Sequence, residues 1–354
     1  MQVLVTGGTG FVGSHICKRL LAEGCNLKLL VRDTVKAGAM VAHWPNSHSE
    51  LIAGDITDRG SVERAVAGCQ AVVHAAAATP MQGLSERDLF AVNVDGTGNV
   101  CHAAHQAGVE SIVCVSSVTA IFDTDPAKVT VEAKPKPSRL PYGRSKQSAE
   151  LLLRDLQSRG APVSIVYPGG VIGPDDPALS DTCRALQYRL TQGFRIFGDG
   201  GIQHLDVRDL ADFVCVLTGR GTRERFLLPG VFLRWSELAD LLDDISGAAV
   251  KRIPARGWQL RLIGRLMDLM RHFRSIESPI SAETMRYATQ WPRIANTRSL
   301  EEFGLSLREP RQTFTDTLIW MVKRGHLDPG LAPRLIETAS HDSGSLPEAP
   351  ERAE

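Results

Sequence analysis

Tyr142 and Lys146 stand four residues apart in Tyr142-Gly143-Arg144-Ser145-Lys146, 25 residues beyond Ser117. At the start of a helix that spacing puts both side chains on one face. A free phenol titrates near pH ~10, too high for it to take a proton at neutral pH. A nearby ammonium and the positive charge of an oxidised nicotinamide both favour phenolate, and each unit of lowering corresponds to ~1.4 kcal/mol. Tyr142 is then expected to take the proton of an alcohol during oxidation, or to give one to a carbonyl during reduction. Lys146 is also expected to hold the nicotinamide ribose. Ser117, which ends Val115-Ser116-Ser117, is placed to hydrogen-bond the substrate oxygen, with Ser116 as its rival.

Hydride chemistry needs a dinucleotide cradle, and the chain opens on one: Val3-Leu4-Val5-Thr6-Gly7-Gly8-Thr9-Gly10-Phe11-Val12-Gly13. Gly7, Gly10 and Gly13 fall where an apolar strand gives way to a helical pattern, with Phe11 and Val12 in the same turn. One glycine permits the tight turn, one lets backbone N–H groups approach a pyrophosphate, and one lets helix and strand pack closely. The second strand ends Leu29-Leu30-Val31-Arg32-Asp33, with Val31 where a site selective for NAD would carry an acid. A guanidinium pairs with a 2′-phosphate and stacks on adenine, so Arg32 predicts NADP(H), with Lys36 as a second cation. An inward-turned Asp33 would serve NAD(H) instead. In Gly54-Asp55-Ile56-Thr57, Asp55 is set to accept from the adenine amino group, or else to cap the next helix. Ala75, Ala76 and Ala77 offer small side chains where the cofactor must lie close, and His74 before them reads as a satisfied core histidine.

These groups need a frame. Short apolar runs at residues 2–5, 27–31, 50–53, 71–74, 112–115 and 163–167 read as strands buried on both faces. Helical spacing fills 11–22, 61–67, 84–106 and 141–158 between them. The alternation predicts an α/β fold with a doubly wound parallel sheet. It assigns residues 1–167 to the nucleotide domain, with later segments returning to it. Residues 168–330, with helices ending at 192 and over 210–217, 236–245, 257–273 and 312–323, are assigned to a smaller substrate-binding lobe. Residues 331–354, rich in Pro, Ser, Glu and Ala, are expected to be a disordered tail. Forty basic residues balance forty acidic ones, so no global field favours nucleic acid or anionic lipid. Seven scattered cysteines lack metal spacing and read as reduced thiols. No run reaches the ~20 apolar residues of a membrane span. The segment 260–273, interrupted by Arg261, Arg265, Asp268 and Arg271, reads as an amphipathic helix over an active site, with a membrane-surface helix as the alternative. A strand starting at residue 2 leaves no room for a signal peptide, and a cytoplasmic location is expected.

Thr6-Gly7-x-x-Gly10-x-x-Gly13, Gly54-Asp55-Ile56, Asn93-Val94-x-Gly96-Thr97, Ser116-Ser117 and Tyr142-x-x-x-Lys146 together resemble the extended short-chain dehydrogenase/reductases over about residues 1–325. The resemblance implies a Rossmann-type fold, Ser117, Tyr142 and Lys146 as catalytic triad, and Pro168, Gly169, Gly170 and Val171 lining the nicotinamide. Asn93 falls in the family's Asn-x-x-Gly-Thr segment, though it also reads as a buried hydrogen-bonding residue. Val31-Arg32-Asp33 and Ala78-Thr79-Pro80-Met81 are similar to dihydroflavonol-reductase-like and 3β-hydroxysteroid-dehydrogenase-like members. That implies interconversion of a secondary alcohol and a carbonyl on a fairly hydrophobic small molecule, with Met81, Ile121, Phe122 and Tyr167 as lining or as core. The alternatives are a nucleotide-sugar epimerase or dehydratase with tightly held NAD, and a non-catalytic redox sensor. Against the first, the chain lacks an arginine just before His204-Leu205-Asp206 and has Val118 and Thr119 beside Ser117 where dehydratases carry an acid. A homodimer is expected to pair residues 84–106 and 141–158 in a four-helix interface.

Overall fold

Strands without polar alternation must be covered on both faces, and these are, except the edge strand over 49–53, which stays partly exposed. The computed structural model describes residues 1–44, 49–79, 83–196, 200–270, 280–296 and 299–335. The first half alternates β1 (Gln2–Thr6), α1 (Phe11–Ala22), β2 (Asn26–Val31), α2 (Thr34–Val41), β3 (Ser49–Ala53), α3 (Arg59–Val66), β4 (Ala71–His74), α4 (Glu86–Phe90), α5 (Thr97–Gln106), β5 (Ser111–Val115), α6 (Pro141–Ser158) and β6 (Val163–Pro168). The second half adds β7 (Gly170–Ile172), α7 (Asp181–Gln192), β8 (Phe194–Ile196), β9 (Gly201–Asp206), α8 (Val207–Arg220), β10 (Arg225–Leu228), β11 (Val231–Arg234), α9 (Trp235–Ser246), β12 (Arg252–Pro254), α10 (Gly257–Met270), α11 (Ala282–Gln290), α12 (Ser299–Glu302) and α13 (Pro310–Lys323).

Seven strands form one sheet in the order β10-β6-β5-β4-β1-β2-β3, every pair parallel. The order reverses between β1 and β4. In such sheets the crevice beyond the strand ends at that point takes the ligand. The register aligns Thr6 with His74 and His74 with Cys114, so the glycine turn, the alanines and Ser117 leave the sheet at its carboxyl end. Leu4, Val72, Ile112 and Ile165 belong to the cluster on one face of the sheet, and Val3, Val5 and Val73 to the cluster on the other. The four-residue strand β10 was too short to stand out by pattern. It completes the sheet edge after α8, so residues 207–228 return to the first domain.

The helix expected over 84–106 is one path with a flaw in it. α4 and α5 are joined by a π-helical turn, Ala91–Gly96, which holds one residue more per turn than an α-helix would. The remaining lobe has its own core around Phe194, Trp235, Leu242, Phe314 and Leu318, under the small sheets β11-β9-β7 and β12-β8. Ala332 and Leu335 are buried against that core, so the chain is packed to the last described position. The rest of the expected tail lies outside the described residues, as does the end of the helix expected over 257–273.

Candidate active site

The trough at the switch point is made of backbone. Gly7 has φ +74°, and a Cβ there would lie 2.6 Å from the Ala76 amide nitrogen. A Cβ on Gly13 would collide with the Gly7 carbonyl. Gly10 donates to Gly7 O at 2.9 Å and caps α1, whose first turn holds neither a capping side chain nor an acid. Free amides and the helix's positive end therefore face the trough. This groove, about 230 Å³, is lined by Gly7, Gly10, Arg32, Asp55, Ile56 and Ala75 to Ala77, together with Thr9, Leu84 and Val92, which the sequence did not single out.

Four readings of residues at this trough need correction. The side chains of Phe11 and Val12 do not line it: Val12 packs on the core and Phe11 stands edge-on to His15. Only their helix-terminal amides are on offer. Lys36 sits a turn beyond Arg32, exposed and off the groove. Asp33 is committed elsewhere, its carboxylate accepting from Val35 N at 3.0 Å and Lys36 N at 2.9 Å as the cap of α2. Asp55 does not cap α3, which Asp58 does; Asp55 accepts from the amide and hydroxyl of Thr57, both at 2.9 Å, and keeps an edge on the groove.

The second group gathers at the starts of α6 and of the loop after β5. Ser117 lies near enough to the Tyr142 phenol to lower its pKa, and Thr119 donates to Ser117 Oγ at 2.8 Å. Ser116 turns away, donating to buried Glu150. Lys146 Nζ lies 6.0 Å from the Tyr142 ring centre. Lys146 is buried, and its ammonium has no hydrogen-bond acceptor among the described residues. Burial lowers it to about 8, against the pull of Cys114 and Glu150. A donor without a protein acceptor on an otherwise buried side chain fits ribose hydroxyls, and the glycine cradle fits a pyrophosphate; the residues present suit a dinucleotide.

One electrostatic expectation is reversed. The Tyr142 phenol is pushed up to about 12, not down: burial dominates, Asp181 adds repulsion, and only Ser117 pulls the other way. The ammonium, 6.0 Å off and itself weakened, does not offset the lost solvation.

Asn93 ties the two groups together. Seated in the π turn, it accepts from Ala78 N at 2.7 Å and donates to Ala78 O and to Ser145 Oγ, while Ser145 Oγ donates to Tyr142 O. The end of β4 is thereby fixed to the turn of α6 that bears Tyr142 and Lys146. His74 below it is bonded through both nitrogens to Thr6 and Thr97, and burial lowers it to about 3, so it stays neutral and structural. Pro168 is buried at the end of β6, Gly169 abuts Pro229, and Val171 leans on the core; none lines the trough around Gly7.

A cavity of about 420 Å³ adjoins Thr119. Phe122 lines it and stacks edge-on against Tyr287 at 4.5 Å. Its other companions do not. Ile121 is 2% exposed and Tyr167 is fully buried, its hydroxyl donating to Glu150 Oε1 at 2.5 Å, so both are core residues, not lining. Met81 lies outside the described residues. Nor is the cavity apolar: Lys136, Arg139, Arg265 and Arg286 face Asp123 and Glu283 across it. Lys136 pairs with Asp123, and Glu283 is held by Ser138, Arg139 N and Tyr287. The three guanidinium groups have no ion-pair partner among the described residues. Nothing in the sequence signals Glu283, Arg286 and Tyr287, because they come from α11, far along the chain.

With this geometry in hand, comparisons with known proteins align with it. Residues 3–226 match the profile of the NAD dependent epimerase/dehydratase family. Sterol demethylase protein B of Methylococcus capsulatus is 28% identical over 331 residues, covering 92% of this chain and 99% of that protein. A putative dihydroflavonol 4-reductase of Synechocystis sp. is 26% identical over 331 residues, 91% of this chain and 95% of that one. The crystal structure of gox2253 superposes with a TM-score of 0.79 at 26% identity, covering 92% of this chain and 99% of that chain. A seven-stranded parallel sheet, a glycine turn at its switch point and a family match across most of both make this chain a member of the NAD-dependent epimerase/dehydratase family, within the extended short-chain dehydrogenase/reductases.

Proposed function

We propose that the protein is an NADP(H)-dependent oxidoreductase that interconverts a secondary alcohol and a carbonyl on a small molecule with a hydrophobic ring body, of sterol, terpenoid or aromatic type. The observation that carries this reading is the nearness of Ser117 to the Tyr142 phenol, with Lys146 Nζ 6.0 Å from its ring centre and without a hydrogen-bond acceptor among the described residues. When bound, the nicotinamide accepts or supplies the hydride. Every other part is the chain's own. The α1 amides and Arg32 hold the phosphates, Lys146 engages the ribose, and Ser117 orients the substrate oxygen. A phenol held neutral suits proton donation in the reduction direction. For oxidation, Lys146 must carry its proton so that its charge can bring the phenolate within reach. Arg32 on the groove, with Asp33 engaged in capping, supports NADP(H) over NAD(H).

The relatives' names, sterol demethylase protein B and putative dihydroflavonol 4-reductase, support a ring-shaped substrate, as does the Phe122–Tyr287–Trp291 aromatic cluster. A second reading is carried by Arg139, Arg265 and Arg286 at the cavity: cations so placed suit the diphosphate of a nucleotide sugar, and the reaction would then be epimerisation. A panel of steroid, terpenoid and aromatic ketones and alcohols, with UDP-sugars alongside, read through absorbance of the reduced nicotinamide, decides between them. Net consumption of NADPH with a ketone is expected. Turnover of a UDP-sugar with no net absorbance change sinks the proposal.

A further inference from the structure

Helix α10 shows its apolar side to solvent. Gly264, its buried residue, presses on the next segment so closely that a Cβ would lie 2.5 Å from Ser281 O. The opposite side carries Trp258, Leu262, Ile263, Leu266, Leu269 and Met270, each between 44% and 57% exposed. At helical spacing 258, 262, 266 and 269 form one stripe, the part of an amphipathic helix that normally faces a core. A contiguous exposed apolar face on a folded chain marks a contact surface.

Its charges say which kind. The single carboxylate of α10, Asp268, is engaged by Ala282 N at 3.0 Å. Arg256, Arg265 and Arg286 border the face, exposed and without ion-pair partners among the described residues. A second copy packed on the same face through a two-fold axis would set these cations against their own images. An anionic surface would meet them with opposite charge. No described helix is long and apolar enough to cross a membrane, and at 14 residues α10 is about 21 Å long. A short basic, aromatic-bearing helix of this sort lies in the plane of a lipid interface.

We propose that α10 is an interfacial anchor that lays its Trp258–Met270 face on an anionic lipid surface. The cavity next to Thr119 opens beside the same helix, through Arg265, so docking would also set its mouth at the membrane. The docking itself does not depend on the redox reading.

Sedimentation of the full chain with phosphatidylcholine vesicles, with and without phosphatidylglycerol, tests it. Roughly tenfold more bound protein on the anionic vesicles is expected, falling as salt rises. The double variant Leu262→Glu/Leu266→Glu should stay in the supernatant with its Tm unchanged, since both side chains are exposed already. Failure of the wild-type chain to bind either vesicle overturns the proposal, and so does undiminished binding by the double variant. A wild-type dimer in sedimentation velocity that the double variant splits, with no vesicle binding, would assign the face to a second copy and overturn it equally.

Discussion

Around Gly7 and Ala76 the chain offers mostly backbone, turns and helix-end amides flanked by a few side chains such as Arg32 and Ile56, delivered largely by contiguous stretches at the ends of β1, β2, β3 and β4. Around Phe122 and Tyr287 it offers side chains, brought together from the loop after β5, the approach to α6, and helices α10 and α11. Under the proposed function the first region would take the dinucleotide and the second the part of the ligand that differs between substrates. A site made of backbone tolerates almost no added atom, whereas a site made of side chains can be re-lined without disturbing the sheet.

The proposed hinge between the two regions is Tyr142, and its loss should separate them most sharply. Tyr142→Phe is expected to lower kcat by about 10³-fold or more while cofactor affinity, measured by fluorescence titration, changes by less than about twofold. Retained turnover would refute the proton-transfer role. Gly7→Ala attacks the backbone side. With φ at +74° and Ala76 N in the way, it should cost about 1–3 kcal/mol of stability and remove measurable cofactor binding; a normal Kd would show that the trough is not the cradle.

Arg32→Ser should cut the preference for NADP over NAD by roughly tenfold to a hundredfold with kcat on NAD preserved. A wild-type enzyme that already prefers NAD tenfold ends the assignment at once.

The pH dependence sharpens the contrast between a neutral frame and a titrating site. Lys146 is lowered to about 8, below its unfolded value. Between those two values the unfolded chain binds the extra proton, so this group's penalty on stability is present below about 8 and fades as pH rises further. If the ammonium holds the ribose, cofactor affinity runs the other way, weakening by up to about tenfold per pH unit above about 8. Lys146→Met should flatten that slope; a flat wild-type profile would remove the ribose contact. Least dramatic should be Arg286→Gln in the side-chain region, raising KM a few-fold, about 1 kcal/mol, with kcat intact.

How much of this was legible follows the same division. Gly7, Gly10, Gly13 and the Tyr142–Lys146 spacing are constraints on local conformation, so the motif and the geometry are nearly one thing. The bounds of α1 and α6 followed from apolar periodicity and, for α6, a proline in its first turn. Tyr167 misled because an aromatic at a strand end looks like lining until its partner, Glu150, is seen packing from α6. Glu283, Arg286 and Tyr287 carried no signal, since their meaning depends on α11 folding back over Ser138. The raised phenol was beyond reach for a related reason: burial is a sum over the whole lobe, and spacing along a helix does not contain it.

The π turn at Ala91–Gly96 has a consequence of its own. Its extra residue is a phase shift: everything from Thr97 onward is rotated relative to α4 by what one α-helical residue would contribute, about 100°. Asn93 reaches Ala78 and Ser145 at once only in that phase. Chain length within those six positions therefore sets more than the fold, and trimming one residue there would mend the helix while unlatching the end of β4 from the helix that bears Tyr142 and Lys146.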